Sequence, residues 1–88
     1  MKVTNLKSPR SNRAVANQFQ IMEGSDIIFK SYDSIIAKVS ADLSVTLDET
    51  YWDYSRTTSK YRNLFLGEDT ATIKQKVKAG IYKLANLN

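Results

Sequence analysis

The chain has 88 residues, a formal net charge of +4, and neither cysteine nor histidine. The missing residue types exclude disulfides, thiolate and imidazole metal sites, cysteine nucleophiles and Ser-His-Asp catalysis, so we predict a non-enzymatic protein without metal or cofactor. Apolar residues make up 42% of the chain, which is typical of a folded protein and, at this length, of one domain spanning residues 1–88.

The charge is distributed unevenly along the chain. Residues 1–22 and 54–88 are basic, whereas residues 23–53 hold seven acids against two lysines. Such an asymmetry favours an acidic partner. No apolar run approaches the roughly 18 residues of a membrane span, and the first residues lack the apolar stretch of a signal peptide. We therefore expect a soluble, cytoplasmic protein that has no membrane partner.

The first half of the chain is predicted to form an antiparallel sheet. Alternating apolar and polar residues, with turn residues between the runs, predict strands at 2–6, 17–22, 27–32, 35–39 and 43–47. In the second of these, Phe19 and Ile21 are expected to face the core and Gln18 to face solvent. The run at 35–39 is apolar on both faces except for Lys38, which is typical of a central strand. Leu43 is expected to lie on the inner face of the last strand.

The loop at 7–12 is basic and contains Pro9, which lacks an amide donor and favours extended geometry before it. A Ser-Pro-Arg stretch of this kind is found in arms that lie along phosphates, so residues 1–16 could form an extended basic arm or loop. Lys7, Arg10 and Arg13 would then contact the ligand. An ordinary connecting loop is the alternative.

Residues 51–67 hold the only tryptophan and three of the five tyrosines. The aromatic run 51–54 predicts the end of a strand. Ser55 or Thr57 can cap a helix that follows, and Gly67 can end it because glycine reaches positive φ without steric cost.

Two stripes of opposite character run along this predicted helix. Tyr61, Leu64 and Phe65 are spaced to share an inner, apolar face. The outer stripe is basic and polar, and we expect it to lie against phosphates, although a solvated helix face is the alternative. Its members are Arg56, Ser59, Lys60 and Asn63, with Arg62 on the flank.

A second helix is predicted after Gly67. Asp69 or Thr70 can cap it, Ile73 and Val77 form an apolar seam at i, i+4, and Gly80 is expected to end it before a closing strand over 81–84. A helix that continues through Gly80 is the alternative. The fold class is therefore α+β: a small antiparallel sheet of four to five strands with two short helices, in the C-terminal half, packed on one face.

Two further features carry alternative interpretations. The tyrosines, Tyr32 among them, could stack on bases, although aromatic residues in a small domain are usually part of the core. Hydroxyl residues cluster near the predicted turns, where they form either a polar site or caps and turn-locking hydrogen bonds. The acids at 42, 48, 49 and 53 lack the spacing of a calcium loop and are expected to be solvated.

Residues 29–38 (FKSYDSIIAK) and 52–66 (WDYSRTTSKYRNLFL) resemble a pattern in small phage-encoded proteins of uncharacterised function, where a SYxTxxA turn precedes WxYSxTTxKH. The ends, NLKSPRS and YKLANLN, are also similar to that group, so the likeness covers most of the chain. The chain departs from it with Ser34 in place of Thr and Tyr61 in place of a frequent His, which argues against a His-dependent role. The resemblance implies a phage or prophage source, hence a bacterial host cell, and no known activity.

Our first hypothesis is a non-enzymatic, phage-type binding protein whose basic face engages nucleic acid. The candidate contact residues are Arg56, Lys60, Arg62, Asn63, Lys7, Arg10, Arg13 and Tyr32. The second hypothesis is an anti-defence inhibitor of the anti-CRISPR kind, which would contact a host or nucleic-acid-handling protein complex. The third is a virion or assembly component, for which a homodimer is possible because an exposed strand edge can pair with a second copy.

Overall fold

A six-stranded sheet runs through the protein, and two helices from the C-terminal half cover one of its faces. The computed structural model describes all 88 residues. The strands are β1 (Lys2–Lys7), β2 (Ala14–Glu23), β3 (Asp26–Ser31), β4 (Ser34–Val39), β5 (Val45–Asp48) and β6 (Lys83–Ala85), and the helices are α1 (Arg56–Leu66) and α2 (Thr70–Lys78). The predicted α+β class is confirmed, with one strand more than expected.

The strands lie in the sheet in the order in which they occur in the chain. Each pair from β1 to β5 is antiparallel and joined by a short connection, whereas β6 pairs in parallel with β5. The parallel pair requires a crossover, and the two helices supply it. No helix is long and apolar enough to cross a membrane.

The core lies between the sheet and the helices. One row of paired residues crosses all six strands on the covered face: Thr4, Gln20, Phe29, Ala37, Leu47 and Leu84. Phe29, Ala37 and Leu47 in this row are completely buried. A bulge in β4 leaves Ile36 without a partner, so that Ile36 and Ala37, neighbours in the chain, are both buried.

The opposite side of the sheet, which we call the open face, is not covered by any helix. Its first row contains Val3, Ile21, Ile28, Lys38, Thr46 and Lys83, and its second row contains Asn5, Phe19, Lys30 and Ile35. Four apolar side chains, those of Val3, Ile21, Ile28 and Phe19, therefore lie side by side on this face, whereas Lys30 separates Phe19 from Ile35.

Two predicted orientations in the sheet are wrong. Gln18 is buried on the covered face, where it pairs with Ser31, and Phe19 lies on the open face. Apolar and polar residues alternate along β2 as predicted, but the helices cover the face of the sheet that carries Gln18. Leu43 lies outside β5, in a turn, with a φ of 69° and a side chain that is 80% exposed.

The predicted strand end at 51–54 is also wrong, because Asp48 ends β5. Its Oδ2 accepts hydrogen bonds from the amides of Thr50 and Tyr51, and its backbone carbonyl accepts one from the amide of Trp52. These bonds fold the aromatic run into turns. Oδ1 of Asp48 also accepts from the amide of Leu87, which ties the C-terminal segment to the same point.

Helix α1 begins and ends as predicted. The Ser55 side chain accepts from the Thr58 amide, and Gly67 adopts a φ of 69° while its amide donates to the Asn63 carbonyl. Phe65 stacks on Phe29 of the sheet with ring centroids 5.6 Å apart. Leu64, predicted to face inward, is 46% exposed, because α1 packs on the sheet with the face that carries Tyr61 and Phe65.

Helix α2 is capped by Asp69, whose carboxylate accepts from the Thr72 amide, and buries Ile73 completely. It ends before Gly80, where the amides of Ile81 and Tyr82 both donate to the Lys76 carbonyl. The predicted stop is confirmed, and the continuous helix is wrong. The closing strand begins two residues later than predicted, at Lys83.

Candidate nucleic-acid interface

A cleft of about 730 Å³ runs along the outer side of α1. Its floor is one stripe of the helix and its C-cap, since the lining residues recur every three or four positions: Arg56, Ser59, Lys60, Asn63, Leu64 and Gly67. Pro9 of the β1–β2 loop and residues 68–70 of the α1–α2 turn complete the lining. We call this the α1 cleft. Four of the five lining residues within α1 belong to the outer stripe predicted from the sequence.

Two cations of the α1 cleft are not used inside the protein. Arg56 is the first residue of α1 and Lys60 lies one turn later; both are exposed, and neither forms a salt bridge. The Lys60 ammonium lies 5.4 Å from the centre of the Tyr61 ring, a weak attraction that keeps it on the helix surface. Both side chains can therefore contact an external anion without breaking an internal ion pair.

The prediction that Arg62 lies on the exposed flank of α1 is wrong, because its side chain is completely buried. Nη1 donates to the Trp52 carbonyl at 2.6 Å and to the Asp53 carboxylate at 3.1 Å, and Nη2 donates to the Thr70 hydroxyl at 3.1 Å. The guanidinium also lies 5.5 Å from the Trp52 ring. This side chain joins α1 to the aromatic turn and to α2, and it does not reach a ligand.

Asn63 lines the cleft, and most of its amide group is used inside the protein. Oδ1 accepts from both Nε and Nη2 of Arg62, and Nδ2 donates to the Thr70 hydroxyl at 2.9 Å. Asn63 thus supports the Arg62 network, but the second N–H of its Nδ2 has no partner within the protein and can donate to a ligand.

The carboxylates around the cleft are held by internal partners. Glu68 accepts from Lys76 and from the Tyr82 hydroxyl. Burial raises the pKa of Glu68, but these two partners lower it more, so the group stays ionised and paired. The pKa of Asp69 is lowered by the Thr72 amide that it caps. Glu68 is thus paired with Lys76 and Asp69 is used as a helix cap, whereas the cations Arg56 and Lys60 have no internal ion-pair partner.

Asp53 lies under the same stripe. Burial raises its pKa, but hydrogen bonds from Arg62 and Ser59, with the nearby charge of Lys74, lower the pKa below its ordinary value. The Ser59 hydroxyl donates to Asp53 Oδ1 at 3.1 Å, and Lys74 Nζ lies 3.7 Å from Oδ2. No three acidic side chains come together as metal ligands anywhere in the structure.

The basic loop between β1 and β2 borders the cleft through Pro9. Lys7, Arg10 and Arg13 are all exposed, and Arg10 follows Pro9 directly. The loop is closed by backbone hydrogen bonds from Ser8 to the Arg13 carbonyl and from Asn12 to the Ser8 carbonyl, each 2.9 Å long. Residues 1–16 therefore form a strand, a closed loop and the start of β2, and not an extended arm.

Tyr32 lies outside the α1 cleft, at the turn between β3 and β4, with 49% of its surface exposed.

Several of the hydroxyl residues near the turns cap a helix or lock a turn by hydrogen bonding, which was the alternative to a polar site. Ser31 and Thr58 share a buried hydrogen bond of 2.9 Å, and Ser55 caps α1. These bonds hold the β3–β4 turn against the beginning of α1.

Sequence reasoning missed Pro9 and residues 68–70 as lining residues. The signal for 68–70 was present, because Gly67 ends α1 and turns the chain back over its last turn. The position of Pro9 depends on how the β1–β2 hairpin lies against the helix, which a local pattern does not contain.

Comparison with known proteins gives one result. No curated protein and no solved structure matches the chain. The model of a family of unknown function, DUF8033, matches residues 1–80. The match covers most of the chain, including the β1–β2 loop, α1 and the residues 68–70 that line the cleft, and it ends before β6. The chain therefore belongs to the DUF8033 family of unknown function.

Proposed function

We propose that the protein is a non-enzymatic binding protein of the phage-encoded kind, and that nucleic acid is its ligand. The observation that carries the proposal is the pair of unpaired cations, Arg56 and Lys60, on the floor of a cleft whose own acids have internal partners. Phosphate contacts from such cations provide most of the affinity in sequence-independent binding.

The basic loop extends this surface. Arg10 is next to Pro9 at the edge of the α1 cleft, and Lys7 and Arg13 lie at the two ends of the same closed loop. Together with the two cations of α1, they give five exposed basic side chains on the elements that border the cleft, and we expect a phosphate backbone to lie along them. We exclude Arg62 from this set because its guanidinium is buried and bonded within the protein, whereas Asn63 keeps one amide N–H for a phosphate contact.

Binding to labelled DNA and RNA over a salt series tests the proposal. The Arg56→Ala/Lys60→Ala variant should bind more weakly and with a smaller salt slope, since each phosphate contact contributes about 0.7 to 0.9 to that slope. Lys38→Ala/Lys83→Ala is the matched control, because it removes the same charge from the open face. An equal loss in both variants, or no binding at low salt, would contradict the assignment.

A second candidate function, a protein-directed inhibitor of host or defence complexes, is favoured by the open face. There the apolar side chains of Ile21 and Ile28 are direct neighbours, and Phe19 lies in the next row. Contiguous apolar surface of this kind is typical of protein contacts. Pulldown from host lysate with and without nuclease distinguishes the two functions, because a directly bound protein remains after nuclease treatment. A self-association seen by size exclusion would instead favour the assembly role.

A further inference from the structure

We infer that the nucleic acid is single-stranded, and that Tyr32 and Tyr54 stack on its bases at the end of the α1 cleft where Arg56 lies. The inference rests on the proposed function and specifies its ligand. It concerns DNA and RNA alike, because both present the same unpaired aromatic bases on a phosphate backbone.

Tyr32 is exposed in a backbone conformation that does not suit it. It is the first of two residues between the paired Ser31 and Ser34, and its φ is 55°. Glycine would adopt this conformation without strain, whereas a side chain with a Cβ atom is disfavoured there. Half of the tyrosine surface, 49%, is exposed to solvent, so a large part of the ring is not packed within the protein. A large ring at this position is available for a contact outside the chain.

Tyr54 is exposed to a similar extent, 47%, and its ring contacts a second aromatic ring. It meets Tyr51 edge to face, with centroids 5.3 Å apart and planes at 77°, and Tyr51 in turn packs against the core. An aromatic ring that is held on one side and exposed on the other is a platform on which a flat ligand can stack.

A chain of two hydrogen bonds brings these tyrosines to the same place. Ser31 bonds to the Thr58 side chain at 2.9 Å, and the Thr58 amide donates to Ser55 at 3.1 Å. Tyr32 follows Ser31 and Tyr54 precedes Ser55, so each tyrosine is one residue away from this link. The backbones of both tyrosines therefore lie close to the beginning of α1.

The positive charge of α1 near these tyrosines indicates the class of ligand. Arg56 directly follows Ser55 and begins the stripe that forms the floor of the α1 cleft, with Lys60 one turn further. Aromatic rings beside a line of cations suit a ligand with flat rings on an anionic backbone. In a duplex the flat faces of the bases are occupied by stacking on one another, whereas in a single strand they are accessible to tyrosine.

The test compares a labelled single-stranded DNA of about 15 nucleotides, within the site sizes of single-strand-binding proteins, with the RNA of the same sequence and the DNA duplex. We expect the single strands to bind more tightly than the duplex. Tyr54→Ala and Tyr32→Gly should each reduce single-strand affinity about 10-fold, with little change for the duplex. Their salt slopes should equal that of the unmodified protein, because no phosphate contact is lost.

Matched controls separate stacking from structural effects. Leu43→Gly makes the same backbone change as Tyr32→Gly at another positive-φ position, the β4–β5 turn. Ile81→Ala removes another exposed apolar side chain, 63% exposed and remote in sequence from both tyrosines. Neither should alter single-strand affinity. Unfolding curves of all four variants establish that they are folded under the binding conditions.

The outcomes also distinguish this inference from the proposed function. If Arg56→Ala/Lys60→Ala weakens binding but the tyrosine variants do not, the stacking inference is overturned and the nucleic-acid function remains. Tighter binding to the duplex than to either single strand overturns the inference in the same way. Absence of binding to all three probes at low salt overturns both.

Discussion

Nη1 of Arg62 lies 3.1 Å from Oδ1 of Asp53, in a salt bridge whose cation is fully buried and whose anion is one-third exposed. The same guanidinium donates to Trp52, Asn63 and Thr70. One side chain thus connects α1 with both the turn before it and the helix after it. The α1 cleft is lined by α1 and by Thr70 at the start of α2, which Arg62 joins. The shape of the cleft therefore depends on the buried Arg62 guanidinium.

We predict that Arg62→Lys lowers the free energy of unfolding by about 2 to 3 kcal/mol, because an ammonium cannot reach all the acceptors that the planar guanidinium satisfies. Urea denaturation measures the change. The control is Arg56→Lys, an exposed arginine in the same helix, for which we expect less than about 0.5 kcal/mol. Similar losses in the two variants would show that the buried network contributes little.

Asp48 should make the protein sensitive to acid. Burial raises the pKa of this carboxyl, but hydrogen bonds from the amides of Leu87, Tyr51 and Thr50 lower the pKa more, and the net pKa is below its ordinary value. A lowered folded-state pKa stabilises the protein above the unfolded-state pKa, near pH 4, and this stability is lost as the pH falls through the folded-state value.

We therefore expect Asp48→Asn to reduce stability at neutral pH by about 2 kcal/mol and to flatten the stability profile below about pH 4. The measurement is the unfolding free energy as a function of pH. Glu49→Gln, a change at an exposed neighbour, should leave the acid limb unchanged. If Asp48→Asn retains the full acid dependence, other carboxyls such as Asp53 and Glu68 carry it.

The buried hydroxyl pair of Ser31 and Thr58 should show energetic coupling. Both side chains are completely buried, and their oxygens are 2.9 Å apart. Ser31→Ala or Thr58→Val leaves the other hydroxyl without its partner, at a cost of about 1 to 2 kcal/mol each. The double variant should lose less than the sum, by about 1 kcal/mol, in a double-mutant cycle. Strict additivity would mean that the two hydroxyls act independently.

Leu43→Gly should stabilise the protein. The residue has a φ of 69° and is 80% exposed, so its side chain adds strain and little packing. Relief of about 1 to 2 kcal/mol of left-handed strain, less the larger chain entropy of glycine when unfolded, leaves a gain of about 0.5 kcal/mol. Thermal unfolding measures it. Ala41→Gly in the same turn, where φ is not positive, should give no gain.

Most of the helices and strands could be predicted from local sequence patterns, because the start and end of each element depend on residues a few positions apart. The caps at Ser55 and Asp69 and the stops at Gly67 and Gly80 satisfy backbone groups a few positions away, so they can be predicted from spacing alone. The outer stripe of α1 follows in the same way from the helical period, and it became the floor of the cleft.

The sequence by itself thus determined the α+β class, the two helices with their ends, and the stripe that carries Arg56 and Lys60. Only the tertiary structure decided that Arg62 is buried, that Gln18 faces the core and Phe19 the open face, and that Pro9 borders the cleft. The reason is physical. Periodicity defines which side chains share a face of a strand or helix, but the packing of distant segments decides which face is covered and which polar groups find buried partners.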